Sequence, residues 1–345
     1  MPTTFLTTFA AIGFLIQGED SRMRRREFMQ GWGAWRHWVC AQAQTALPVV
    51  GFISARSSAD DARYGGAFRK GLGETGIDGQ SVTVEYHWLN GQYDSLPSLM
   101  ADLVRRHVAV IATTGGTAAL AAKAATVDIP IVFGANENPV SLGLVASLAR
   151  PGGNVTGVNV LGQEAVAKQL ELLHMLVPKA VRVAVLVNPA NAANTETTLR
   201  AAPDAARALG LEIQVLKASS IREIEGAFAT LVRERADALF VGGDGFLGSR
   251  RVQLTLLSVR HGIPTFGQDR EAVEAGMLMH YGTNSAYMYR EVGVYTGRIL
   301  KGAKPADLPV IQSTKFDLTI NLTTAKALGI DVPPNVLALA DEVIE

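Results

Sequence analysis

Cysteine is almost absent from this chain. Its 345 residues include one, Cys40, so no intrachain disulfide can form and the fold must hold by packing. Neither sign of charge is in excess, with 32 Lys and Arg against 32 Asp and Glu. That balance excludes the basic footprint of a protein that binds nucleic acid or an anionic membrane. The histidines His37, His87, His107, His174, His261 and His280 are scattered, without the paired spacing a metal site needs. No Gly-x-Ser-x-Gly elbow and no G-x-x-x-x-G-K-[ST] phosphate loop occurs. The residues imply no cofactor and no catalytic group. Long apolar runs are missing too. Phe5 to Ile16 falls short of the roughly 20 residues that span a bilayer, and nothing later is long enough either. The mature chain is therefore not expected to insert in a membrane.

What is present begins with an export address. Arg25-Arg26-Glu27-Phe28-Met29 is a twin-arginine motif, and Ala41-Gln42-Ala43 is a small-x-small cleavage signal. The intervening stretch is interrupted by Arg36 and His37, with Trp32, Trp35 and Trp38 in place of leucines. Met23-Arg24-Arg25-Arg26 reads as a positively charged start, which makes Met23 the expected first residue of translation. Residues 1–43 are accordingly set aside as a leader, and the mature chain is expected in the periplasm. Removing the leader takes away Cys40 and leaves 27 basic against 29 acidic residues.

Beyond the leader one pattern repeats: a short apolar strand, a polar or glycine turn, then an amphipathic helix. Strands are expected at Val49–Ser54, Val82–Tyr86, Val108–Thr113, Ile129–Gly134 and Val155–Val160. Helices are expected at Asp61–Thr75, Asp94–Arg106 and Thr117–Thr126. A second series follows Pro178, with strands at Val181–Val187, Glu212–Leu216, Ala238–Gly242, Pro264–Gly267 and Gly276–His280. Helices Thr195–Leu209, Ile221–Glu234 and Arg250–His261 lie among them. Continuous apolar strands alternating with helices form parallel sheets covered on both faces. The fold class is α/β, with two doubly wound parallel-sheet lobes.

Such sheets bind ligands beyond the carboxyl ends of their strands. In the first half those turns offer Ser54, Ser57 and Ser58, then Thr114-Gly115-Gly116-Thr117, then Asn136 and Glu137. In the second half they offer Asn188 and Asn191, then Asp244 and Gly245, with Gly267-Gln268-Asp269 next. Amides, hydroxyls and a few charges recognise a ligand; none is an obvious reactive group. The two glycines before Thr117 open a helix N-terminus to a ligand carboxylate, or else Thr117 merely caps that helix. Asp244 is placed to hold a ligand ammonium, or to cap the helix that follows it. An anion site on one half and a cation site on the other describe a cleft for a zwitterion.

Gly243-Asp244-Gly245-Phe246-Leu247-Gly248 also matches the dinucleotide fingerprint G-x-G-x-x-G, with Asp269 at a plausible distance for a ribose contact. Against that reading, Asp244 sets a carboxylate against the pyrophosphate and the motif follows an internal strand. Among aromatics near the turns, Tyr281 ranks first, beside Gly282 at an expected lobe crossing. Phe246, Trp88, Tyr93, Tyr287 and Tyr289 are further candidates to stack on a flat ligand.

Several phrases, in order, resemble one family. They are Arg25-Arg26-Glu27-Phe28, Gly91-Gln92-Tyr93-Asp94-Ser95-Leu96-Pro97, Arg150-Pro151-Gly152-Gly153-Asn154-Val155-Thr156-Gly157 and Val183-Ala184-Val185-Leu186-Val187-Asn188-Pro189. Thr324-Ala325-Lys326-Ala327-Leu328-Gly329 and the tail Ala340-Asp341-Glu342-Val343-Ile344-Glu345 complete the set. Together they resemble ABC-transporter substrate-binding proteins of the TrpX-like group, over essentially the whole mature chain. The resemblance implies a type I periplasmic-binding-protein fold, with residues 47–160 and 283–312 as one lobe and 161–282 and 313–345 as the other. Hinge segments are then expected at Gly157–Leu161, Tyr281–Asn284 and Gln312–Lys315. It implies capture of a small-molecule ligand, an amino acid or related carboxylate, and its delivery to a membrane permease. A sensor for a membrane signalling protein and, less favoured, a dinucleotide-dependent enzyme are the alternatives. Two turns depart from the pattern of the relatives, Asn136-Glu137-Asn138-Pro139 and Asn188-Pro189-Ala190-Asn191, so the resemblance carries over no particular ligand.

Overall fold

The computed structural model describes residues 47–345 except Leu161 and Thr314. The twin-arginine motif, the cleavage signal and those two residues of the expected hinge segments lie outside the described residues.

The first sheet is built by β1 (Val49–Ser54), β2 (Thr83–Trp88), β3 (Val110–Thr114), β4 (Ile131–Ala135) and β5 (Val155–Asn159). Helices α1 (Gly66–Glu74), α2 (Leu96–Arg105) and α3 (Gly116–Ala125) alternate with the first four strands. The second series runs α4 (Gly162–Leu176), β6 (Arg182–Val187), α5 (Ala192–Leu209), β7 (Glu212–Lys217), α6 (Ile221–Arg233) and β8 (Ala238–Val241). It continues with α7 (Gly245–Ser249), α8 (Arg251–His261), β9 (Thr265–Phe266), α9 (Arg270–Glu274) and β10 (Met279–Gly282). The chain ends through α10 (Ser285–Leu300), β11 (Ile311–Gln312), β12 (Asp317–Asn321), α11 (Leu322–Ala327), α12 (Pro334–Leu337) and β13 (Glu342–Ile344).

The strands form two sheets, ordered β11-β5-β4-β3-β1-β2 and β13-β12-β10-β9-β8-β6-β7. The central strands β3, β4 and β5 are buried at every residue, as strands covered by helices on both faces must be. All neighbouring pairs run parallel except β10 and β12. The exception has a topological cause. Strand β10 runs toward the first sheet, whereas β12 arrives directly from β11 in that sheet, enters at the same end and runs back. The chain thus passes between the sheets three times, after β5, after β10 and after β11.

Helix ends follow local chemistry. Ser220, Asp269, Asn284 and Asn321 each cap the helix that follows by accepting a backbone N–H. Gly210 and Gly262 end α5 and α8 in the left-handed region. Helices α1 and α10 touch backbone to backbone. A Cβ on Gly71 would lie 1.9 Å from the Arg290 carbonyl oxygen, and one on Gly293 would lie 2.2 Å from that of Phe68.

The expected helix 61–75 divides into a wide turn, Asp61–Gly65, and α1. Helix α5 starts at Ala192, one turn before Thr195, because Asn191 rather than Asn194 closes the preceding turn. Among the described residues no helix is long and apolar enough to cross a membrane, and no group of His, Cys, Asp or Glu is placed to hold a metal ion.

Candidate functional site

The carboxyl ends of β1, β3 and β4 face those of β6, β8 and β9, and a cavity of about 140 Å³ lies between them. Its walls come from both sheets. Of the residues expected from sequence, Ser54, Thr114, Gly115, Asn136, Glu137, Asn191, Asp244 and Gly245 line it. Ser57, Ser58, Gly116, Thr117, Asn188 and Tyr281 are not in its wall.

Each residue outside the wall has another task. The Ser57 N–H donates to Ser249 Oγ at 3.0 Å, while Ser58 opens a short turn beside it. Thr117 Oγ1 donates to Asn191 Oδ1 at 2.7 Å. Asn188 Nδ2 donates to Asp244 Oδ1 at 3.1 Å. Tyr281 stacks on Phe316, with centroids 5.4 Å apart, so Phe316 reaches the cavity in its place.

Asp244 caps α7, accepting the Leu247 N–H at 2.9 Å. The same carboxylate also accepts from Asn188, from Asn191 Nδ2 at 3.0 Å and from Tyr93 Oη at 2.7 Å. Four donors occupy it before any ligand arrives. Of the two sequence readings of Asp244, the structure displays the cap, joined to a lobe-bridging bond from Tyr93. Burial first and then Asp244 push the Tyr93 phenol well above its ordinary pKa, so it stays protonated and donating.

The helix N-terminus at α3 is likewise taken. Glu137 is 2% exposed, and its carboxyl faces the N–H groups of Gly116, Asn136 and Glu137 itself and the Asn194 side chain. Those amides favour its charge, but burial opposes it more strongly and raises the pKa above the ordinary 4.5. Gly116 is required there, since a Cβ would sit 2.7 Å from Glu137 Oε2. Gly115, at φ 106°, takes a conformation that suits glycine alone.

Sequence reasoning named Tyr289 as a stacking aromatic and Asp269 as a ribose contact, and missed the bonds that both make. Tyr289, on α10, bonds Ser54 Oγ at 3.0 Å and Thr114 Oγ1 at 3.1 Å, tying two predicted residues into one cluster. Arg56 Nη2 donates to Asp269 Oδ2 at 2.9 Å in a buried pair that joins the two sheets, and its guanidinium lies 4.2 Å over the Tyr64 ring. Burial alone would raise the Asp269 carboxyl, yet Arg56 holds it below its ordinary value. His280 lines the cavity and its Nδ1 is 3.1 Å from the Gly267 carbonyl. Burial depresses its pKa, which leaves it neutral near neutral pH. Arg56 lies between Ser54 and Ser57 in the first turn, and Asp269 in the last. Their partnership spans 213 positions, and no local spacing announces it.

The fingerprint glycines serve the meeting of the lobes. A Cβ on Gly243 would lie 3.2 Å from Asn136 Nδ2, on Gly245 2.8 Å from Ala55 Cβ, and on Gly248 3.1 Å from Arg56 Nη1. Each abuts the first lobe, leaving no gap there for a pyrophosphate, and Asp269 is bound to Arg56 instead of being free for a ribose.

Comparison with known proteins agrees with this geometry. A tyrosine-binding protein of Clostridioides difficile (strain R20291) is 29% identical over 272 residues, 79% of this chain and 77% of the relative. A crystal structure of an ABC domain in complex with L-Trp from Streptococcus pneumonia matches with a TM-score of 0.77 at 25% identity, covering 87% of this chain and 100% of that one. The ligand-free, open structure of a substrate binding protein with adhesive properties from Clostridium difficile gives only 0.58, at 26% identity and covering 86% and 99%. Direct bonds cross the cleft here, from Tyr93 to Asp244, from Thr117 to Asn191 and from Arg56 to Asp269. Residues 47–344 match the ABC transporter substrate binding proteins. Matched over nearly its whole described length, and resembling solute-binding proteins rather than enzymes, the chain belongs to the ABC transporter substrate binding protein family.

Proposed function

We propose that the chain is the extracytoplasmic receptor of an ABC importer, exported by the twin-arginine route, which captures an amino acid or related small carboxylate and delivers it to a membrane permease. The observation that carries this reading is the cavity walled by both sheets, closed by Tyr93–Asp244, Thr117–Asn191 and Arg56–Asp269. In this reading residues 47–160 with 283–312, and 161–282 with 313–345, move as two bodies about the three crossings. Ligand contacts to both bodies select the closed form. The amino-acid class is supported by the relatives, one named for tyrosine and one bound to L-Trp. The cavity size favours the small end of that class. Its roughly 140 Å³ matches the ~150 Å³ of an engineered cavity that holds benzene, not the ~300 Å³ or more of drug-sized sites. An aromatic amino acid requires the lobes to close less far than they do here.

A thermal-shift screen of the full-length chain against amino acids, aromatic acids, short carboxylates, purines and nicotinamide dinucleotides tests the proposal. A ligand that binds only the native state raises the melting temperature once its concentration exceeds Kd. A rise with an amino acid or small carboxylate is expected, and a rise with a dinucleotide alone defeats the reading. Capture of a permease, rather than a signalling protein, from a membrane extract by the loaded chain separates transport from sensing.

A further inference from the structure

Three residues in the cavity wall carry a polar atom with no partner. One of these atoms, Arg56 Nη1, lies against the second lobe at Gly248, where a Cβ would sit 3.1 Å from it. Glu137 Oε2 accepts no hydrogen bond, and Gln268 Nε2 donates none. They come from opposite lobes, Glu137 from the turn after β4 and Gln268 from the turn after β9, and both residues line the same space. The orientation of Gln268 follows from chemistry. The Asp244 N–H lies 2.8 Å from its side chain and can only donate, so Oε1 must face it and Nε2 is left over. A buried donor or acceptor left unmade costs about 1–3 kcal/mol, and a charged one more. The groups that favour the Glu137 charge are amides, with no cation among them. At Glu137 and Gln268 the wall therefore lacks one positive donor beside lobe one and one acceptor beside lobe two.

We propose that Glu137 receives a cationic nitrogen of the ligand, an ammonium above all, while Gln268 Nε2 receives its carboxylate or carbonyl oxygen. The inference rests on the receptor reading above and assigns the ligand its direction. Its positive end meets the first lobe and its acceptor end the second. This reverses the polarity that Thr114-Gly115-Gly116-Thr117 and Asp244 suggest by themselves. The reversal has a plain origin, since a carboxylate of the chain already occupies the helix N-terminus and four donors already occupy Asp244. A ligand that bridges Glu137 and Gln268 makes bonds to both lobes that exist only when they are closed.

The test uses calorimetric titration of the full-length chain with three probes and their analogues. L-alanine, L-tyrosine and L-tryptophan are each compared with the deaminated acid and the decarboxylated amine. Glu137→Gln keeps the shape and removes the charge, and it is expected to weaken the amino acid by about 10- to 100-fold. The deaminated acid is expected to bind the wild type weakly and to gain or hold affinity in Glu137→Gln. Gln268→Leu is expected to weaken the amino acid while leaving the decarboxylated amine within about twofold. Equal affinity of the amino acid for wild type and Glu137→Gln, or tighter wild-type binding of the deaminated acid, overturns the inference and leaves the receptor standing. Failure of every probe to bind overturns the inference, and a thermal-shift screen blank for every amino acid and carboxylate as well overturns both.

Discussion

At the residue scale the decisive side chain is Arg56. Breaking a sealed, buried ion pair from one side costs roughly 3–5 kcal/mol, because the surviving charge is left without water. Arg56 and Asp269 belong to different lobes, however, and opening the cleft returns Asp269 to solvent. Arg56→Met is therefore expected to lower the unfolding free energy in urea by about 1 kcal/mol or less, yet to weaken ligand binding at least about tenfold, since binding needs the closed form. A urea titration beside a calorimetric titration checks it, and a loss near the sealed-interior value with unchanged affinity counts against it. The sign with pH follows from Asp269. Its folded pKa is depressed, so the stabilisation of the closed form is fully present above the ordinary carboxylate value of 3.8 and is lost as pH falls through the lower folded value. Polar turn residues were legible because strand ends are where such sheets bind. The roles of Asp244 and Glu137 were not, because whether a carboxylate faces ligand or chain depends on donors far along the sequence. Tyr93, 151 positions from Asp244, is one such donor.

At the element scale the strands were readable because runs of Val and Ile leave little choice. The expected Val49–Ser54 coincides with β1. Boundaries drifted where polar and apolar residues mix: the expected Gly276–His280 became β10 at Met279–Gly282, and α4 was not among the expected helices although it buries Leu170, Leu173 and Leu176. The seam of α1 and α10 was invisible for another reason. A helical glycine reads as a weak spot, and only the partner helix shows that the absent Cβ is the contact. Gly71→Ala is expected to destabilise the chain by about 1–3 kcal/mol, since a Cβ 1.9 Å from a backbone oxygen forces the helices apart. Gly226→Ala, at an exposed position of α6 with nothing within 4 Å, is expected to stabilise by up to about 1 kcal/mol from helix propensity. Melting curves of the two variants side by side decide it, and equal shifts refute the packing account.

At the scale of the whole molecule the lobes meet on glycine. Gly245 and Gly248 leave room for Ala55 and Arg56, and side chains there act as spacers. Gly245→Val is expected to hold the cleft open, with a larger radius of gyration by small-angle X-ray scattering that saturating ligand does not reduce, and with little change in melting temperature. A variant that still contracts with ligand shows the contact to be incidental. The two-lobe architecture was legible from the repeated strand-helix pattern, whereas the closed arrangement was not, because it is written in contacts between segments far apart in sequence.

The third crossing constrains how the protein can be made and dissected. Strand β11 completes the edge of the first sheet, and β12 and β13 then complete the second. No single cut divides this chain into two self-sufficient halves, because a fragment ending after β10 lacks the edge strand of one sheet and the last two strands of the other. On the ribosome, both sheets stay unfinished until the last tenth or so of the chain emerges. The two lobes are therefore obliged to mature together during synthesis.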